Sequence, residues 1–153
     1  MRFTLSGAYQ FADTFDVVSA DPAIVAQAGR IAGAFHFRFE DGREARTHVS
    51  GATANRVVDG AGEIFGTMRI NVFEAEAEPR DSELLFLAYT GDVRVENGSR
   101  VTVAVRGAFI GGTGRHAGAT GSLELTSING VFTDGRGELV LAQRGSGGQA
   151  AEA

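Results

Sequence analysis

The chain of 153 residues has a length typical of one domain, and its 43% hydrophobic residues, with 11 phenylalanines, can fill one core. A formal net charge of -5 argues against nucleic acid or anionic membrane as partners. The absence of cysteine excludes disulfides and thiolate chemistry. The chain starts without the apolar run of a signal peptide, and no segment could span a bilayer, so we expect a cytoplasmic protein.

Apolar and polar residues alternate with a period of two along most of the chain. In IAGAFHFRF (31–39), Phe35 and Phe37 share one face, whereas His36 and Arg38 share the other. This pattern is typical of half-buried strands. Similar runs occur at 2–11, 43–53, 63–73, 83–96, 101–109, 121–128 and 137–143. The sequence therefore predicts an all-β fold, an antiparallel barrel of about eight strands.

Two loops, EDGR (40–43) and ENGS (96–99), each join two alternating runs. At the first loop, a two-residue turn would place Glu44 opposite Phe39, on the apolar face. A three-residue loop with a bulge glycine keeps apolar side chains together on one face. We therefore predict these pairs: Phe37 with Ala45, Phe35 with Thr47, Val93 with Val101, and Tyr89 with Val105.

One short helix is predicted in the N-terminal third, within SADPAIVAQAG (19–29). Asp21 can cap the helix, Pro22 suits its first position and Gly29 can end it. Residues 1–143 are interpreted as a single barrel domain. The Gly/Ala-rich segment 144–153 is predicted to be a disordered tail.

The stretch FIGGTGRHAGATG (109–121) contains the G-x-G-x-x-A spacing of a dinucleotide-binding turn. Such a turn requires a helix directly after the glycines. Here more glycines follow, and SLELTS (122–127) resumes a strand pattern. Asp134 has the spacing of a ribose-binding acid, but TDGRG (133–137) reads as a turn. We therefore expect a wide, glycine-shaped connection between strands rather than a nucleotide site.

The same region carries a resemblance to a known superfamily. FIGGTGRHAGATGSLEL (109–125) resembles the G-G-T/S-G-x-x-x-G-A-x-G segment of the allene oxide cyclase-like barrels, which include dirigent proteins and bacterial barrel cyclases. The similarity to the bacterial branch covers about 85–142. It implies a barrel with a mostly apolar lumen, often dimeric or trimeric, that steers cyclisation or coupling of flexible apolar substrates. It carries over no catalytic residue.

Few of the side chains that point inward by parity are polar: Tyr9, Thr47, Tyr89 and Ser127. A buried tyrosine hydroxyl needs a hydrogen-bond partner. It either bonds within the core or reaches a cavity and donates to a substrate carbonyl. On the second reading, Tyr89 and Tyr9 are the candidate catalytic residues. Parity also places Leu141 inward, and the expected substrate contacts are Phe35, Phe37, Met68, Leu87, Val103 and Val105.

The remaining titratable side chains form no recognisable catalytic or metal-binding constellation, so we expect no cofactor and no metal. His36 and His48 are predicted to point outward. His116, in the glycine-rich connection, could reach a mouth of the barrel, but no serine or aspartate nearby completes a triad. The glutamates interpreted as surface carboxylates are Glu63, Glu83 and Glu124.

The outer face has its own apolar signal, because Leu84, Phe86 and Ala88 point outward from a strand whose inward side is also apolar. Such a patch predicts a homo-oligomer, a dimer or trimer.

Three functions remain open from the sequence. The first is a cofactor-free cyclase or isomerase whose lumen folds a flexible polyketide- or polyene-like substrate into a reactive pose. The second is a non-catalytic binder or carrier of apolar small molecules. The third is a structural domain with a solid core.

Overall fold

The computed structural model describes residues 1–17, 21, 24–74 and 83–143. Within these ranges, eight antiparallel strands close a barrel in chain order, and the last strand returns to pair with the first. The predicted all-β barrel is therefore confirmed. Its strands are β1 (Arg2–Val17), β2 (Ile24–Phe39), β3 (Glu44–Val58), β4 (Ala61–Glu74), β5 (Glu83–Glu96), β6 (Arg100–Gly112), β7 (Thr120–Ile128) and β8 (Val131–Val140).

The barrel has two different ends. One end carries the β2–β3 turn and the β6–β7 connection, which contains a 3-10 turn at Gly114–His116; we call it the His116 end. The opposite end carries the tight turns between β3 and β4, β5 and β6, and β7 and β8. Because the strands are antiparallel and consecutive, residues near these connections meet at one mouth although they lie far apart in sequence.

The core follows the alternation read from the sequence. Phe35 and Phe37 are each 2% exposed, whereas His36 and His48 lie on the outside as predicted. At the His116 end, the ring of Phe3 lies 4.9 Å from that of Phe37 and 6.1 Å from that of Phe109. A sheet closed on itself has one interior face, so a register slip of one residue would turn this whole set outward.

The predicted pairing of the first hairpin is confirmed. Phe37 pairs with Ala45 and Phe35 pairs with Thr47. The Gly42 N–H donates to the Phe39 carbonyl at 3.0 Å, and the Phe39 N–H donates to the Arg43 carbonyl at 2.8 Å. This closure around three loop residues keeps the apolar side chains of β2 and β3 on the same face.

The predicted pairing of the second hairpin is wrong by two residues. Val93 pairs with Val103, and Tyr89 pairs with Gly107 instead of Val105. Asn97 and Gly98 both have positive φ, and Glu96 pairs with Arg100 across a three-residue loop. A shift of two leaves each side chain on its predicted face, so the burial pattern survives the error.

The predicted short helix is wrong over residues 24–29. This segment opens β2, in which Ile24 pairs with Val58 and Ala26 pairs with Arg56. Pairing in the β-sheet outweighs the local helix-capping preferences here, because β2 is hydrogen-bonded to β1 and β3 on its two sides. Part of the proposed cap region and the predicted tail 144–153 lie outside the described residues.

The last strand differs most from the expectation. β8 begins at Val131, not near 137, and TDGRG lies within it as an irregularity rather than as a turn. The change of register flips the side-chain parity before Gly135. Phe132 is consequently buried, with its ring 5.1 Å from that of Phe35. Leu141, predicted to point inward, follows the end of the strand and is 37% exposed.

The outer face of β4 and β5 carries the apolar residues noted in the sequence. Phe65 is 59% exposed, and Phe86 is half-buried opposite Arg69. Self-association through this face stays a prediction. Nothing helical in the described ranges has the length and hydrophobicity that a membrane crossing requires.

Candidate functional site

The two tyrosines predicted as functional line the same cavity at the centre of the barrel. This cavity is also lined by five of the six expected substrate contacts, all but Phe37. Its volume is about 10 Å³. Such a space holds about one water molecule, whereas binding pockets for drug-sized ligands measure about 300–1,000 Å³. The interior is therefore filled by side chains in this structure.

Both tyrosine hydroxyls have protein partners. Tyr9 Oη lies 2.6 Å from Ser127 Oγ, and Tyr89 Oη donates to the Ala52 carbonyl over a long 3.4 Å. Burial raises the pKa of Tyr9, and the bond to Ser127 offsets part of the increase. Burial also raises the pKa of Tyr89; the Thr53 hydroxyl lowers it in part, and Tyr9 adds a smaller increase. Both phenols are consequently neutral at physiological pH, and a catalytic role for either stays a prediction.

The unequal bonds predict unequal effects of two matched substitutions. Tyr9→Phe removes the short bond to Ser127, which is 0% exposed, and is expected to reduce the free energy of unfolding by about 1–3 kcal/mol. Tyr89→Phe removes the long bond to Ala52 and the interaction with the Thr53 hydroxyl, and is expected to cost less than about 1 kcal/mol. Urea denaturation of the two variants measures both values. Equal losses would contradict this ranking.

A larger recess opens at the His116 end, and we call it the mouth recess. Its volume is about 340 Å³. The apolar part of its lining, which we call the apolar wall, consists of Met1, Phe39, Ala45, Val72, Leu139 and Leu141. The polar part, which we call the polar wall, consists of Arg43, Glu44, Arg115 and His116. A mostly apolar lining with a few polar groups is the usual composition of a small-molecule site.

The glycine-rich connection builds the polar wall. A Cβ atom on Gly112 would lie 2.6 Å from the Cβ of His116, and one on Gly114 would lie 2.6 Å from the Glu83 carboxyl carbon. Gly114 also has a φ of +58°, in the left-handed region. Only glycine lets the backbone approach this closely, so the motif that resembles a nucleotide turn serves to seat His116 against Glu83.

Glu83 is the residue whose role the sequence interpretation missed. Its Oε2 accepts the Arg115 N–H at 3.0 Å, lies 3.2 Å from Arg115 Nε, and faces His116 Nδ1 at 3.5 Å. The His116 side chain is 6% exposed and that of Glu83 is 33% exposed. Glu83 is therefore a half-buried carboxylate that accepts a backbone hydrogen bond from the connection and lies at ion-pair distance from a nearly buried histidine. The sequence signal for this contact was the density of glycines over 111–121, because it indicated a backbone that packs closely against a neighbouring strand.

Two larger recesses lie on the outside of the barrel, with volumes of about 650 and 610 Å³. Both include Arg136 and Glu124, whose side chains pair at 3.8 Å and are 78% and 64% exposed. Exposed pairs of this kind belong to a solvated surface. Across the described residues, no three His, Cys, Asp or Glu side chains are grouped as a metal site requires.

Comparisons of the chain with protein-family models, with curated proteins and with solved structures find no match. The resemblance to allene oxide cyclase-like barrels therefore stays a prediction.

Proposed function

We propose that the protein is a small-molecule cyclase or isomerase that binds its substrate in the mouth recess. The observation that carries the proposal is the combination of an apolar wall and a polar wall around a space of about 340 Å³. This volume lies within the range of ligand pockets in proteins. The resemblance of the glycine-rich region to barrel cyclases supports the same class of reaction.

The two walls would bind different parts of the substrate. The apolar wall would hold the hydrocarbon body of the substrate in a folded pose, and the polar wall would hold a carbonyl or other polar head. Keeping reacting groups in contact can lower a barrier by about 7–11 kcal/mol at the extreme. A reaction of this kind needs no cofactor. We place the substrate at the mouth, because the central cavity of about 10 Å³ is too small for it.

Binding of methyl pentyl ketone, a carbonyl compound with an apolar tail, tests the site. Titration of labelled protein followed by NMR should shift the amide signals around the mouth recess. Leu141→Asp places a charge in the apolar wall and is expected to weaken binding about tenfold or more, since burying one leucine is worth about 1.5–3 kcal/mol. The matched control is Val140→Asp, because Val140 is 47% exposed and lies outside the recess.

Equal weakening by both substitutions would contradict the proposed site. Binding at the recess without turnover of any carbonyl substrate would favour the alternative function, a carrier of apolar small molecules.

A further inference from the structure

The carboxylate of Glu83 lies 3.5 Å from the imidazole of His116, which is an ion-pair distance rather than a hydrogen bond. Glu83 Oε2 faces Nδ1 of the imidazole, so the opposite ring nitrogen, Nε2, lies on the far side of the ring from the carboxylate. In enzymes, a carboxylate at Nδ1 fixes the tautomer and the orientation of a histidine base. The separation of 3.5 Å is long for a hydrogen bond, but such contacts are often long in the absence of substrate.

Hydrogen bonds to the backbone connect the segment that carries Glu83 to the segment that carries His116. Glu83 begins β5 and receives the N–H of Arg115, while the Thr113 N–H donates to the Leu84 carbonyl at 2.9 Å. The Leu84 N–H in turn donates to Thr113 Oγ1 at 2.9 Å. These three hydrogen bonds between the start of β5 and the β6–β7 connection hold His116 at the edge of the recess.

A second histidine–carboxylate pair in the barrel, on its outer face, provides a comparison for Glu83 and His116. His36 Nε2 lies 3.0 Å from Glu44 Oε2, but that side chain is 23% exposed on the outer face. His116 is 6% exposed and lines a recess that has an apolar wall. A proton acceptor is most effective where water is excluded and a bound substrate is in contact with it. Among the histidines of the described residues, His116 is the one that is both nearly buried and part of the lining of this recess.

We propose that His116 is the general base of the reaction, that Glu83 is its positioning residue, and that the substrate is an enolisable carbonyl compound. This inference rests on the proposed function, since it needs a small molecule in the mouth recess. It adds the class of substrate and the residue that touches the reacting carbon.

The step balances without any oxidant or cofactor. His116 Nε2 takes a proton from the carbon next to the carbonyl, and the electron pair of that C–H bond forms an enolate. In ring closure, the enolate carbon attacks a second carbonyl carbon of the same molecule, a C–C bond forms, and the resulting alkoxide takes the proton back from the imidazolium. In isomerisation, the substrate carries a carbon–carbon double bond next to the deprotonated carbon, so the enolate is conjugated; the imidazolium returns the proton to the far carbon of that double bond, and the double bond moves next to the carbonyl. The base ends each cycle as it began.

Exchange of hydrogen for deuterium tests the first half of this step without the natural substrate. Proton NMR in D₂O follows the loss of the signals of the hydrogens next to the carbonyl of methyl pentyl ketone. Wild-type protein should accelerate the loss above the buffer rate. His116→Gln should reduce the acceleration about hundredfold or more, since general bases contribute about 10²–10⁴. His48→Gln, which alters a histidine on the outer face, should leave it unchanged.

The pH profile of exchange tests the role of Glu83. Charged groups around His116 are Glu83 from β5, its neighbour Arg115, and Arg43 and Glu44 from the β2–β3 hairpin. Glu83→Gln removes the negative charge that favours the imidazolium, so the midpoint of the profile should move to lower pH and the rate should fall about tenfold. A merely structural role would lower the rate without moving the midpoint. If His116→Gln fails to fold, the pH profile of Glu83→Gln still tests whether His116 is the base.

The outcomes separate this inference from the proposed function. If the ketone shows no binding at the mouth recess, both are overturned. If it binds there but the wild type does not accelerate exchange, or if His116→Gln accelerates exchange as the wild type does, only the assignment of the base is overturned.

Discussion

Gly112→Ala is expected to reduce the free energy of unfolding by about 3 kcal/mol and to disorder the polar wall of the mouth recess. The added Cβ would lie 2.6 Å from the Cβ of His116 and 2.9 Å from its carbonyl oxygen, and it would also press on the Leu84 carbonyl. Two of these three atoms belong to the backbone, so the clash requires the connection to move. For a chain of this size, the melting temperature should fall by about 6–12 °C.

Gly98→Ala is the matched control for this substitution. Gly98 lies in a turn at the opposite end of the barrel, has a φ of +72°, and has no heavy atom within 4 Å of an added Cβ. Its loss should reflect the backbone conformation alone, about 1–2 kcal/mol. Thermal unfolding of both variants compares them directly. If Gly112→Ala costs no more than Gly98→Ala, the close packing around His116 does not contribute to stability.

The barrel itself was predictable because a closed sheet has one interior, so alternate side chains of every strand must point toward the same core. Phe35 and Phe37 on one side of β2, with His36 and Arg38 on the other, suffice to orient that strand and, through the hairpin, β3. The same rule tolerates the wrong pairing of Tyr89, because an error of two residues preserves the face on which a side chain lies. Burial was therefore easier to predict than the exact partners.

The errors lie where local signals and long-range pairing disagree. Residues 24–29 carry helix-capping signals, but pairing with both neighbouring strands makes them part of β2. In β8, one irregularity reverses the parity before Gly135, so that Phe132 is buried, and Leu141 is exposed because the strand ends before it. A glycine-rich segment gives no side-chain alternation from which such a reversal could be recognised.

The candidate site was the least predictable part of the molecule. Glu83 begins β5 and His116 lies in the connection after β6, and the pairing of β5 with β6 brings the two side chains to 3.5 Å. The tyrosines stood out because they were rare polar residues on an apolar face, and they do share one cavity. Parity could not reveal the size of that cavity, which depends on how far each side chain reaches across the axis.

Leu87→Ala is expected to reduce the free energy of unfolding by about 3–5 kcal/mol and to open the centre of the barrel. Leu87 is 1% exposed, lines the central cavity and packs over Gly107, where an added Cβ would lie 2.9 Å from its Cδ1. Its truncation removes apolar contacts and leaves a void that the barrel wall cannot fill by collapse. Ile110→Ala is the control, because Ile110 is 59% exposed and should cost less than about 0.5 kcal/mol.

The enlarged cavity should also bind a small apolar ligand. Comparing this binding with that of the wild type shows whether the wild-type interior is permanently filled or opens by itself. Apolar cavities of this kind stay dry and take up benzene. Benzene should therefore raise the melting temperature of Leu87→Ala and leave that of the wild type unchanged, because a ligand stabilises only a state that binds it. A comparable rise in the wild type would mean that the interior opens unaided. The central cavity, with Tyr9 and Tyr89 in its wall, would then replace the mouth recess as the place where the substrate binds.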